Sequence, residues 1–498
     1  MRVPIKTKVL EIIPGFLVWA TFIAVFSMSL YRPLWAIYFI IIFDVYWVIR
    51  IIYLLIFMLT SWNRYVKNQQ HNYWQRLQDF KDKDYRDYFH VVFLPTYKEP
   101  ASVVEASIQS IVDCYYDKSK MMLVLAGEER DIERFSQISQ DMRQKFEHQF
   151  HDFVITIHPK DLPGEIPGKG SNIHYAGHKV KRIIDDRKLD YSQVIVSSFD
   201  VDTRPHPQYF AALTYQYIKH PDPTHASFQP VAVYNNNIWE SNPVVRVVAS
   251  STTFWLLTDL SRPERLFTFS SHSMSFKALA DVGFWDKTIV TEDSRIFLQC
   301  FVHYQGNYKV EPVYIPLFMN TVEIGNWRKS IMNQYKQMRR WAWGAEHFPY
   351  MFKNFYGKNA PGRSIPFWKK FHYIWNQTEG VYSWATAPII IFIGGYLPLW
   401  VASETIRTTT LFQNTPDTLS FLMRSALIGL LASSVIFAFL LPPKPKGYHW
   451  GNYVVMVFQW LMVPVTLILF GSVPAVDAQT RLMLGGKFRL GFWVSEKK

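Results

Sequence analysis

Long apolar runs occupy both ends of the chain and none occupies its middle. Ile12–Leu30 has 19 residues without a charge, and Leu34–Leu59 follows directly after the tight turn Tyr31-Arg32-Pro33. Each is long enough to cross a hydrocarbon core, so the two predict a helical hairpin. No small-residue cleavage site follows the first run, which argues against a removable signal peptide. Three more candidate spans lie near the other end, at Val381–Ala402, Ser425–Leu441 and Tyr453–Val473. Asp44 and Arg50 interrupt the second run six positions apart, off a common helical face, so each needs a partner on another element. Lining of a pathway and a structural interhelical pair both satisfy that need.

From His90 the pattern changes to short apolar runs separated by longer polar stretches of helical character. "VVFLP", "MMLVLA", "FVITIH" and "QVIVSSF" read as strands; "ASVVEASIQSIVDCYY", Glu128–Phe150 and "SNIHYAGHKVKRII" read as the helices between them. This alternation predicts an α/β domain with a doubly wound, mostly parallel sheet, whose ligands bind beyond the carboxyl ends of the strands. "VVRVVASSTTFWLLTDL" is too interrupted to span and reads as a core or membrane-surface helix.

A hydrophobic share of 49% with mean hydropathy near zero averages these apolar ends with a polar block. The net charge of +13 favours anionic partners, but the basic residues are scattered and no groove-reading motif is present, so no nucleic-acid partner is expected. Cys114 and Cys300 supply neither a disulfide framework nor zinc spacing. Arg2, Lys6 and Lys8 place the N-terminus inside by the positive-inside bias, which makes the middle block cytosolic in a plasma or inner membrane. Five crossings then leave Arg481, Lys487, Arg489, Lys497 and Lys498 outside, against the bias. Either a C-terminal segment is re-entrant or split, or "FHYIWNQTEGVYSW" adds an element.

Candidate chemistry collects at three places. Asp200 and Asp202, in "DVD" after the fourth strand, can face a divalent cation together or simply make a turn. Glu292 and Asp293 in "TEDSRIF" sit where a helix starts behind Thr291, as paired acids of a site or as a capped first turn. In "QYKQMRRWAWGAEHFPY" helical spacing sets Ile331, Tyr335, Met338 and Ala342 on one side and Asn333, Gln337, Arg340 and Gly344 on another. Gln337, Arg340 and Trp341 are then neighbours that can grip a phosphate and stack a sugar, although basic and aromatic residues also crowd ordinary bilayer interfaces.

"PTYKE" (Pro95–Glu99), "DVD", "TED" and "QMRRW", in that order and bracketed by apolar helices, resemble the membrane-integrated family-2 glycosyltransferases. That group includes cellulose and hyaluronan synthases and the non-polymerising ceramide glucosyltransferases. The resemblance implies a GT-A-type cytosolic domain inserted between N- and C-terminal transmembrane helices. Its segments would be 1–61 (hairpin), 62–329 (catalytic domain), 330–375 (interfacial helices), 376–476 (transmembrane helices) and 477–498 (basic tail). It further implies Thr96, Tyr97 and Glu99 in the nucleotide pocket, Lys169 of "GKGSNIHYA" near the diphosphate, Asp200 on the nucleotide and metal, and Asp202 on the metal. Asp293 with Glu292 beside it would be the catalytic base; Gln337 and Arg340 would hold the pyrophosphate and Trp341 the acceptor, and "SSHSMSFKALADVGFWD" falls where the family forms its acceptor-side loop, with His272 as an acceptor contact or a plain loop histidine.

The implied activity is inverting transfer from a nucleotide sugar, a UDP-sugar by preference, with Mg2+ or Mn2+, onto a growing β-linked polysaccharide. Single transfer to a lipid acceptor and a non-catalytic transporter or scaffold are the alternatives. The sequence departs from the family at "VLAGEERD", where an acidic pair is expected and Glu128 or Asp131 is the substitute on offer. Lys98 and His174 each stand where Asn is common, His174 reading as a packing histidine rather than a metal ligand.

Overall fold

The computed structural model describes residues 5–447 and 449–491; Arg2, Lys497 and Lys498, used above for orientation, lie outside the described residues. One eight-stranded mixed sheet forms the centre, with strands β1 (Phe89–Pro95), β2 (Met121–Glu128), β3 (Asp152–His158), β4 (Val194–Ser198), β5 (Arg204–Pro205), β6 (Ala226–Tyr234), β7 (His272–Ser275) and β8 (Lys309–Met319). Their spatial order is β3-β2-β1-β4-β7-β6-β8-β5. β3, β2, β1 and β4 are mutually parallel, and these are the four strands legible in the apolar runs. β1, β2 and β4 are mostly apolar because both faces are covered, whereas β3, at the edge of the sheet, is buried at only three of its seven positions. Val91 and Phe93 pack with Met122, Val124 and the helix Lys169–Asp186 on one side; Val92 and Leu94 pack with Leu123, Leu125 and the helices Ala101–Val112 and Ile132–Phe146 on the other.

The rest of the sheet departs from the predicted pattern. β7 runs antiparallel between β4 and β6, so the expected loop at 270–286 is instead an internal strand followed by the helix Phe276–Asp281. Its "HSMS" is polar because hydrogen bonds replace apolar contacts: Ser273 Oγ meets Ser197 Oγ at 2.7 Å and Tyr209 Oη at 2.9 Å. β6 and β8 pair in parallel with a register shift at Pro230/Val231, which accommodates prolines that cannot donate to the ladder.

Among the described residues five helices are long and apolar enough to cross a membrane: Lys8–Tyr31, Pro33–Gln69, Phe367–Val401, Thr410–Leu440 and Gly451–Leu484. "FHYIWNQTEGVYSW" is the first half of the third and not an additional element. Val25, Ile40, Ile390 and Leu419, one from each of the first four helices, form a small core at the far end of the bundle from the sheet. Arg50 is held by Glu379 at 2.8 Å and by Tyr46 Oη at 2.9 Å, which makes it part of an interhelical pair. The helix Pro243–Leu260 lies buried between sheet and bundle.

Candidate active site

The site is built at the carboxyl edge of the sheet. β4 ends at Ser198 and the chain turns through Asp200 and Asp202 before β5. Asp202 is buried at the meeting of three strand ends: its Oδ2 accepts from the Asn320 backbone N–H after β8 at 3.1 Å, and its carbonyl accepts from Asn236 Nδ2 after β6 at 3.2 Å. Asp200 Oδ2 accepts from Ser270 Oγ at 2.6 Å, and its backbone N–H donates to Ser271 Oγ at 3.1 Å. Ser271 holds a left-handed φ of 63° to make that contact.

Lys169 joins the first acidic motif to the second. Its Nζ lies 2.7 Å from Asp200 Oδ1 and 2.9 Å from Asp293 Oδ2, although 124 residues separate Lys169 from Asp293. The close approach depends on Gly170, where a Cβ would stand 2.9 Å from the Asp286 carbonyl and 3.1 Å from Glu292 Cβ. Burial works against the Lys169 charge, yet Asp200 and Asp293 outweigh it and hold the ammonium above its ordinary pKa. Burial, reinforced by the Asp293 charge, pushes the Glu292 carboxyl well above the usual carboxylate range. Thr291 occupies the N-cap position, but its hydroxyl caps nothing and is buried without a partner. The simple capping reading of "TED" therefore does not hold.

The helix Trp327–Ala342 divides its adjacent arginines Arg339 and Arg340, and Trp341 and Trp343 part likewise. Arg339 Nη1 pairs with Asp477 at 2.9 Å, and Trp343 is buried with its Nε1 donating to Glu346 at 2.7 Å; both are structural. Arg340 stands close enough to the acids for its charge to act on Glu292 and Tyr234, while Trp341 packs among Val248, Met338 and Phe470. The Tyr234 hydroxyl, on a half-buried residue at the end of β6, is raised above its usual pKa by desolvation and then by Asp200, Asp202 and Asp293, while Arg340 opposes the shift. Arg340 also acts on Glu292, and the Trp341 ring centroid lies 6.1 Å from that of Tyr234. Gln337 is half-buried beside Gln334, whose Nε2 lies 3.4 Å from its Oε1.

Thr96, Tyr97 and Glu99 lie on the same edge of the sheet, after β1. The Thr96 N–H donates to the Ala126 carbonyl at 2.8 Å and the Tyr97 N–H to Glu99 Oε2 at 2.6 Å; the Tyr97 ring has Arg130 and Lys98 within 4.9 and 5.1 Å of its centroid. Lys98 takes φ 67°, which gives a physical reason for Asn at that position, since Asn tolerates the left-handed region better. Asp131 accepts from the Lys98 N–H at 2.9 Å, and buried Glu128 is held by Arg130 at 3.0 Å and His158 at 3.2 Å. His174 donates from Nδ1 to the Trp285 carbonyl at 2.9 Å and packs on Phe284, as a packing histidine does.

His272 is fully buried at the start of β7, not on a loop. Its Nδ1 donates to the Phe269 carbonyl at 2.9 Å and lies 3.8 Å from Asp293 Oδ1; burial lowers its pKa despite that neighbour. Tyr234 and Ser270 are the site residues that sequence reasoning missed. Neither carries a motif, and Tyr234 could be placed only by recognising β6, whose Pro230 hides it.

Asp200 and Asp202 offer the carboxylate oxygens that a hard divalent cation takes, Lys169 Nζ stands against Asp200 at 2.7 Å, and among the described residues no group of three or more His, Cys, Asp or Glu that could hold a metal forms. Two carboxylates leave the other coordination positions to phosphate oxygens and water, the habit of such ions.

No curated protein sequence matches the chain. Similar solved structures include the mannosyltransferase PcManGT from Pyrobaculum calidifontis in complex with GDP-Man and Mn2+, at 13% identity and a TM-score of 0.37, covering 76% of this chain and 99% of that one. S. aureus TarS 1-349 in complex with UDP-GlcNAc is similar at 11% identity and a TM-score of 0.36, covering 70% and 91%. The sequence profile for glycosyl transferase family group 2 matches residues 195–473, more than half of the 498 residues and a stretch that includes both acidic motifs and the helix with Arg340 and Trp341. The chain belongs to glycosyl transferase family group 2.

Proposed function

We propose that the protein is a membrane-integrated, inverting glycosyltransferase that moves a sugar from a nucleotide-sugar donor, a UDP-sugar by preference, to a β-linked glycan on the cytosolic side. The observation that carries this reading is Lys169 Nζ held between Asp200 and Asp293, which brings the two acidic motifs within one ammonium of each other. Thr96, Tyr97 and Glu99 hold the nucleoside, and Lys169, Gln337 and Arg340 the diphosphate. Trp341 offers its face to the acceptor sugar, and His272, buried beneath Asp293, supports the base rather than touching the acceptor.

A sugar hydroxyl is a weak nucleophile near neutral pH, so Asp293 takes its proton as the oxygen attacks the anomeric carbon. The bond to the nucleoside diphosphate breaks with its electron pair going to the leaving oxygen, and one displacement inverts the centre. Burial disfavours the charge on Glu292, and Asp293, less buried and held by Lys169, is the carboxylate that takes that proton. Arg340 and Lys169 stabilise the negative charge that develops on the leaving group. Mg2+ or Mn2+, held by Asp200 and Asp202, supplies further neutralisation of the diphosphate when bound.

Release of nucleoside diphosphate by purified protein supplied with labelled nucleotide sugars tests the reading. Asp293→Asn and Asp202→Ala are each expected to abolish release while the protein stays folded, and wild-type turnover in either variant would overturn the assignment. A product enlarged by one sugar on extracted lipid, in place of a polymer on a sizing column, would select the lipid acceptor.

A further inference from the structure

The apolar segment Gly451–Leu484 has the length of a membrane span, but its contacts describe a different path. It is not a uniform helix. A 3-10 turn at Gln459–Met462 and a π-helical stretch at Leu467–Ser472 break it, and Pro464 and Pro474 stand beside these breaks.

Depth is readable against the core of Val25, Ile40, Ile390 and Leu419, to which each of the other four apolar helices contributes and this one does not. The segment begins low. Trp460 packs on Phe437 at 5.4 Å and Phe254 at 6.0 Å, and Met456 shares a core with Ile436 and Met58. At 1.5 Å per residue, Ile436 lies about 25 Å along its helix from Leu419, and Met58 about 27 Å from Ile40. The segment then rises: Ser472 Oγ donates to the Trp384 carbonyl at 3.0 Å, a level about 9 Å short of Ile390.

From there it descends. Gln479 Nε2 donates to the Val381 carbonyl at 2.8 Å, the Gln479 carbonyl comes within 2.7 Å of where a Gly15 Cβ would be, and Arg489 Nη1 reaches Glu11 at 2.7 Å. Glu11 is about 21 Å along its helix from Val25. Entry and exit therefore stand at similar depths, both on the side of the sheet.

We propose that Gly451–Leu484 is an arch within the leaflet nearest the catalytic domain, that the chain crosses the membrane four times, and that both flanks of the arch lie on the side of the sheet. Its partner is the acyl layer of that single leaflet. Val457, Phe458, Leu461, Val465 and Leu469 are exposed along it, and basic residues stand at both its ends: Lys444 and Lys446 before it, Lys487 and Arg489 after it. This path puts all four on one side, in agreement with the positive-inside bias that five crossings violate. The arch also reaches the site: Phe470 packs with Met338, and Asp477 holds Arg339 and Tyr335 on the helix that carries Arg340.

Single cysteines at Thr405, Lys446 and Lys487, all exposed, test the path in the full-length protein, because the native Cys114 and Cys300 are buried. A membrane-impermeant maleimide applied to intact cells should label Thr405→Cys and lose both Lys446→Cys and Lys487→Cys until the membrane is permeabilised. Lys446→Cys and Lys487→Cys on opposite sides would overturn the arch, as would all three on one side. A fluorescent protein that matures only in the cytosol, fused to the C-terminus of the otherwise unaltered chain, gives a second readout. It should fluoresce, and a dark but expressed fusion would count against the proposal.

Discussion

Protonation at the first turn of Glu292–His303 sets a measurable consequence for stability. The Glu292 carboxyl moves from the usual 4.5 to about 8 on folding, mainly through burial. Below 4.5 both folded and unfolded chains hold the proton, and the group contributes nothing. Between 4.5 and about 8 only the folded chain keeps it, so folding takes up a proton and stability falls as pH rises, levelling above about 8. Glu292→Gln removes this slope, and thermal melts of detergent-solubilised protein should show the variant gaining on wild type from pH 5 to pH 8.5. A second residue-scale prediction concerns Lys98, held at φ 67°. Relief of left-handed strain, offset by the greater freedom of glycine when unfolded, gives Lys98→Gly roughly 0.5–1 kcal/mol more stability by denaturant titration. The acids themselves were legible in the sequence because carboxylates at a strand end and a helix start stand out. Lys169 was placed near the diphosphate only through the resemblance, and its bridge between them was not, because nothing local in "GKGSN" encodes a partner 124 residues away.

At the scale of elements, the helix Trp327–Ala342 shows how two adjacent arginines take different duties. The 3.6-residue period turns successive positions about 100° apart, so Arg339 reaches Asp477 of the arch while Arg340 turns toward Glu292 and Tyr234. Arg339→Lys keeps a charge opposite Asp477 and should leave turnover close to wild type. Arg340→Lys replaces a planar fork by a point charge and should lower turnover by roughly 10²-fold or more, measured as nucleoside diphosphate release. Equal losses in the two variants would mean that the helix acts only as scaffold. Strands were legible under the same logic. β1, β2 and β4, buried on both faces, carry mostly apolar runs and β3 an apolar core at the edge, whereas β5 spans two residues, β7 satisfies itself with serine hydroxyls, and β6 and β8 are interrupted by prolines that the register shift absorbs.

At the scale of the molecule, one charged cluster ties the helical bundle to the catalytic sheet. Glu379 receives Arg50 from Pro33–Gln69 at 2.8 Å, Ser383 Oγ from its own helix at 2.8 Å, and Arg265, from the loop that leads into the site at Thr268 and Ser270, at 3.9 Å. The sequence announced that Arg50 needed a partner but could not name one 329 residues distant, since a buried charge specifies only the sign of what it must meet. Removing one member strands the others away from water, whereas removing the Arg50–Glu379 pair together exposes no uncompensated charge between those two helices. Glu379→Gln should therefore destabilise the protein, read as a lower unfolding midpoint in detergent, and Arg50→Met combined with Glu379→Met should recover most of that loss. If the double variant is no more stable than Glu379→Gln alone, the cluster acts through Arg265 and the site loop, and the junction between bundle and sheet is held by that contact instead.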